Sequence, residues 1–152
     1  MHRITLTPES NAEILSLFDP SVPHFFVHRF DPKPAISWFK ADLKTSNGFE
    51  IANADVRCMQ FDLQTDLKGI EKILELNTSQ LSIYQFDRKL PDTLLLENLP
   101  AESRNKILQN NGLKHFFGIE FEFLIIESFD PEFIRSIEQD PRFQERIVTK
   151  NI

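Results

Sequence analysis

Cysteine is nearly absent from this chain. Cys58 is the only one, so no disulfide can close within it. Secreted domains of modest size commonly depend on a cysteine framework, and doing without one points to a reducing, cytoplasmic setting. Glycine is almost as scarce. Gly48, Gly69, Gly112 and Gly118 are the only four, and no two lie closer than six residues. That spacing excludes the dinucleotide fingerprint and the Walker loop, which need closely set glycines so that backbone N–H groups can reach phosphate. Long apolar runs are missing too. Leu124-Ile125-Ile126 is among the longest, against the roughly 20 residues that a membrane-crossing helix requires. Met1 to Thr5 contains no signal-like apolar core before the polar stretch Pro8-Glu9-Ser10-Asn11.

Two further scarcities bear on partners. Tyrosine and tryptophan occur once each, as Tyr84 and Trp38, beside 15 phenylalanines. Recognition surfaces favour Tyr and Trp, whose polar tips tolerate water, so a set this rich in Phe is expected mainly in a core. Clustered cations are also lacking, the nearest thing being the pair Arg88-Lys89. Phosphate backbones and anionic membranes are neutralised by clusters of Lys and Arg, so neither nucleic acid nor a membrane is an expected partner.

What the chain does have is ordinary globular material. Its 152 residues are 41% hydrophobic and 26% charged. A folded chain of this length buries about 70% of the surface it exposes when unfolded. No repeat, low-complexity tract or Gly/Ser linker divides it, and a single domain over residues 1–152 is expected.

Alternation and helical spacing give the elements. Ile4 and Leu6 suggest a first strand. Thr7-Pro8 and the capping-box pair Ser10 and Glu13 both offer starts for a short helix carrying Ile14, Leu15, Leu17 and Phe18, which Asp19-Pro20 ends. Strands are expected over His24–Phe30, Ala35–Asp42, Val56–Leu63 and Leu81–Phe86, with a turn at Ser46-Asn47-Gly48. Helices are expected over Asp66–Leu76, capped by Asp66, and over Pro100–Asn110, with Gly112 after its end. Lys114 to Glu127 reads as the longest strand, Asp130-Pro131 opens a last helix with Phe133, Ile134 and Ile137 on its buried stripe, and Ile147-Val148 closes as an edge strand. The order predicts an α+β fold: a mainly antiparallel sheet of five or six strands, with three to four helices on one face.

Candidate chemistry is thin. His24 and His28 share a strand face but lie about 13 Å apart, too far for two ligands of one zinc. Cys58 and His115 are of the types that form a nucleophile–base pair, yet nothing local brings them together, and a buried, inert cysteine is expected. In Ile119-Glu120-Phe121-Glu122-Phe123 the two glutamates share one parity, with Cα atoms about 6.6 Å apart on a regular strand. A half-solvated strand produces the same pattern. No metal, cofactor or catalytic residue is expected.

Charge placement carries the functional expectation. Eight acids lie between Ile119 and Glu145 and are opposed only by Arg135 and Arg142, so this segment holds the whole formal charge of −6. A protein-interaction module follows, presenting Glu120, Glu122, Glu127, Asp130 and Glu132 to a basic protein partner, as an inhibitor, an immunity-type protein or an adaptor would. Two other classes compete with it. One is a small enzyme or ligand-binding domain using His115, Glu120, Glu122 and Cys58 in a pocket between sheet and helices. The other is a homo-oligomeric subunit that buries phenylalanines at a symmetric contact.

Overall fold

The structure, a computed structural model, describes residues 1–28, 50–51, 59–76, 80–89 and 99–151. The expected strand Ala35–Asp42, the turn at Ser46-Asn47-Gly48, Trp38 and Cys58 lie outside the described residues. The elements in chain order are β1 (His2–Leu6), α1 (Asn11–Leu17), β2 (His24–His28), β3 (Glu50–Ile51), β4 (Met59–Asp62), α2 (Leu63–Leu76), β5 (Gln80–Phe86), α3 (Arg104–Asn110), β6 (Leu113–Glu120), β7 (Phe123–Ser128), α4 (Pro131–Glu138) and β8 (Ile147–Asn151). The fold is α+β. One sheet runs in the order β3-β4-β2-β5-β6-β7-β1-β8, and every neighbouring pair is antiparallel.

Local chemistry sets the helix ends. The Ser10 hydroxyl caps α1 by accepting from the Glu13 N–H at 3.2 Å. Glu13 reaches back, but to the N–H of Glu9 at 3.1 Å. The helix therefore begins after Ser10, and Thr7-Pro8 stays outside it. Asp130 caps α4 by accepting from the Glu132 N–H at 3.0 Å, with Pro131 in the first helical position. Two expected starts move. The second helix begins at Leu63, directly after β4, which leaves Asp66 inside its first turn. The third begins at Arg104, after a turn over 101–103, instead of at Pro100. Gly112 follows its end at φ +96°, and a Cβ there would lie 2.2 Å from Asp87 Oδ1, so both backbone and space demand glycine.

The long strand expected over Lys114–Glu127 is instead a hairpin. β6 and β7 pair with Glu120 opposite Phe123, and Phe121-Glu122 forms the two-residue turn between them. Phe121 takes a left-handed φ of +57°, the conformation such turns need and usually obtain from Asn or Gly. The sequence shows no turn signal because the Glu/Phe alternation runs evenly through it.

The helices also cover both faces, not one. On the first face, buried Ile4, Leu6, Phe25, Val27, Ile83, Phe117, Leu124 and Ile126 meet Ile14 and Leu17 of α1, Ile70, Ile73 and Leu74 of α2, and Ile134 and Ile137 of α4. On the second face, Phe26, Tyr84, Phe86 and Leu113 pack with Leu108 of α3. The adjacent rings Phe25/Phe26 and Phe116/Phe117 thus divide between the two cores, as strand parity requires.

Candidate functional site

The fold distributes the five acids instead of gathering them. Glu120 ends β6 and Glu122 sits in the turn; both are exposed. Asp130 and Glu132 lie past the other end of β7, about 17 Å along the strand, where Asp130 caps α4 and Glu132 pairs with Arg135. Glu127 projects from the second face and accepts a hydrogen bond from Arg3 Nη2 at 3.3 Å. Glu120 and Glu122 are therefore the two of this set at one end of the hairpin, with no ion pair to engage them among the described residues, and Glu120 also shares the second face with Glu127.

The end that carries Glu120 and Glu122 is the hairpin tip. Phe121 is 76% exposed, the most exposed large apolar side chain among the described residues, and Phe123 beside it is 37% exposed. A cavity of about 300 Å³ opens between the tip and the start of α1, with Thr7, Ser10, Ile14, Leu74, Phe121 and Phe123 in its walls. Glu9 and Glu122 also line it, and no Lys or Arg does. An exposed phenylalanine held in a left-handed backbone costs about 1–2 kcal/mol and recovers little of it by burial.

A second constellation is one that sequence reasoning missed. His115 is 2% exposed on the first face, with its ring stacked on Phe133 at 3.8 Å. Its Nε2 lies 2.9 Å from Asp19 Oδ2 and its Nδ1 lies 2.7 Å from Ser128 Oγ. Ser128 is fully buried and also accepts from the Asp130 N–H at 2.9 Å. Asp19 accepts from the N–H and hydroxyl of Ser21 at 3.0 and 2.7 Å. Buried Gln85 closes the Asp19–Val22 loop, accepting from the Asp19 N–H and donating to the carbonyls of Asp19 and Val22.

Electrostatics fixes the protonation in this network. Burial lowers the pKa of His115, outweighing the opposite pull of Asp19. Burial also pushes Asp19 upward, but hydrogen bonds from Ser21 and His115 overcome it, and the carboxyl titrates below its usual range. Near neutral pH the pair is therefore a neutral imidazole donating from Nε2 to a carboxylate. The Asp–His–Ser order is that of a hydrolytic triad, but Ser128 Oγ has no exposed surface and already accepts from the Asp130 N–H. A substrate carbonyl cannot approach it. The arrangement fastens the loop after α1 and the start of α4 to the β6–β7 hairpin.

Other candidates do not converge. His115 and Glu120 are five residues apart on β6, about 16 Å, and on opposite faces. No metal-competent group of His, Cys, Asp and Glu occurs among the described residues. No helix among them is long and apolar enough to cross a membrane. The Asp19 and Ser128 partners carried no sequence signal: Asp19 reads as a helix stop, and Ser128 meets His115 only once the hairpin sets them opposite each other. Comparison with protein-family models, curated proteins and solved structures finds no match to this chain.

Proposed function

We propose that this chain is a protein-interaction module that meets a basic protein partner with the tip of the β6–β7 hairpin. The observation that carries this reading is Phe121, held at φ +57° and 76% exposed between Glu120 and Glu122. A strained, exposed aromatic is a cost to the isolated chain, and burial against a partner offsets it. The flanking glutamates, with Glu9 across the cavity, suit a partner whose apolar residue is bordered by Lys or Arg. Such charge speeds encounter and makes the contact salt-sensitive.

Site-specific photo-cross-linking in source lysate tests the reading. A photoreactive residue at position 121 should trap one basic protein that a residue at exposed Glu102 does not. Trapping should fall at high salt and disappear in a Glu120→Lys, Glu122→Lys double variant. Equal trapping from both positions, or trapping indifferent to salt and to the charge reversals, rules the tip out as the contact.

A further inference from the structure

The half of the second sheet face away from α3 carries a trough whose form follows from register. Ser82, Gly118 and Ile125 are direct neighbours across β5, β6 and β7. They make a low row, because one has no side chain and another only a hydroxymethyl. The row on one side holds Phe116, Glu127 and Arg3, which are also in register. The row on the other holds Gln80 and Glu120. The two walls are four residues apart along β6, about 13 Å between Cα atoms. The enclosed space is about 190 Å³. The Phe116 ring leans over Gly118, and a Cβ at that position would lie 3.0 Å from it.

Two features distinguish the trough from an ordinary solvated face. Ser82 is 6% exposed, lines the trough, and makes no side-chain hydrogen bond among the described residues. A buried hydroxyl without a partner is unfavourable, and a bound polar group relieves it. The charges are also ordered along the trough. Arg3 and Glu127 stand side by side on one wall, 3.3 Å apart, with their side chains 46% and 20% exposed. Glu120, next to Gln80, is the charged group on the other among the described residues.

We propose that this trough binds a free basic amino acid, lysine or arginine. One cation and two carboxylates call for one anion and two cations, which is the charge set of these molecules and not of a neutral amino acid. The ligand carboxylate meets Arg3, its α-ammonium meets Glu127, and its aliphatic chain crosses Gly118 and Ile125 beside the Phe116 ring. The terminal ammonium or guanidinium then reaches Glu120, a span that an α-amino group alone cannot cover. Ser82 lies at the β5 end of the low row, next to the Gln80–Glu120 wall, and its hydroxyl accepts from the terminal ammonium or guanidinium as that group reaches Glu120. The site shares Glu120 with the proposed partner contact at the hairpin tip but does not rest on that reading.

Amide chemical shifts recorded during titration with L-arginine, L-lysine, agmatine and L-leucine test the assignment. Agmatine lacks the carboxylate and leucine the second cation. The expected result is saturable movement of Ser82, Gly118, Glu120 and Ile125 with arginine or lysine below roughly 10 mM. Agmatine and leucine should bind at least tenfold more weakly. Glu120→Gln should weaken arginine at least tenfold, and Arg3→Gln should abolish the preference for arginine over agmatine. Both variants alter exposed side chains, and an unchanged urea midpoint verifies that they fold. Absence of saturable shifts, shifts lying outside the trough, or arginine binding unchanged in Glu120→Gln overturns the proposal. Agmatine binding as tightly as arginine overturns the amino-acid assignment and leaves a simple cation site.

Discussion

His115 and Ser128 face each other across the β6–β7 pair with Nδ1 2.7 Å from Oγ, both of them buried. Because Nε2 donates to Asp19, the neutral ring has a bare Nδ1 that accepts the Ser128 proton. When the ring is protonated, Nδ1–H donates instead, and the hydroxyl turns to the Lys114 carbonyl at 3.2 Å. Both states keep their hydrogen bonds, so burial of the imidazolium is the main cost of charging it.

This fixes the direction of a pH effect. Burial holds the folded pKa of His115 below the ordinary imidazole value of 6.5. Between that value and the lower folded one, the unfolded chain binds a proton that the folded chain refuses, so stability falls as pH drops through about 6.5. Above it the contribution is fully present. Urea unfolding followed from pH 8 to 5 should show this slope in the wild type and a shallower one in His115→Gln. Identical slopes would mean that His115 charges as readily folded as unfolded.

Removing the ring itself should cost more. His115→Ala loses the stack on Phe133 and the hydrogen bonds to Ser128 and Asp19, and a loss of about 3 kcal/mol is expected from chemical denaturation. A loss within the range of surface substitutions would show that the network contributes little.

Gln85 sets a second expectation. It is fully buried and makes three hydrogen bonds to the backbone of Asp19 and Val22. Gln85→Leu fills similar space but leaves one N–H and two carbonyls without it, at a cost of roughly 2–4 kcal/mol. The Asp19–Val22 amides should also exchange faster with deuterium. Unaltered exchange there would assign the anchoring of the loop to other contacts.

Phe121 should behave in the opposite sense. Phe121→Gly relieves the left-handed backbone, and a gain of up to about 1 kcal/mol is expected in thermal or urea unfolding. If the tip is the partner contact, the same variant binds the trapped protein more weakly. A variant that is less stable would place the ring in a packing role.

Glu13 joins the two ends of the chain. Its carboxylate is hydrogen-bonded by Arg146, which also donates to the Thr7 carbonyl at 3.3 Å. The guanidinium holds the Glu13 pKa below the ordinary glutamate value of 4.5. The stability that this pair contributes is present above pH 4.5 and is lost as the pH falls through the lower folded value. Glu13→Gln should cost about 1 kcal/mol at neutral pH and remove that part of the acid dependence. An unchanged acid limb would show that the pair titrates as in the unfolded chain.

Much of this architecture was legible in the residues. Ser10 with Glu13, and Asp130 before Pro131, specify helix starts through contacts within a few residues, and the structure contains both. Parity in Ile4/Leu6 and in the paired phenylalanines fixes which side chains share a face. Hairpin formation at Phe121-Glu122 was not legible, since neither residue favours a left-handed turn. The pairing of β6 with β5 and of β7 with β1 decides it, because ending β6 at Glu120 lets both strands bury their apolar parity.

By itself the sequence determined the α+β class, the antiparallel strands, the caps of the first and last helices and the concentration of charge between Ile119 and Glu145. These depend on spacing and on neighbours only a few positions apart. Tertiary structure alone decided that this charge divides between two ends of the sheet, that Asp19, Gln85, His115 and Ser128 form one buried network, and that a glycine and a serine on adjacent strands open a trough. Each of these joins residues distant in sequence, 96 positions apart for Asp19 and His115. No local pattern encodes such a meeting; it exists only once strand order and register are set.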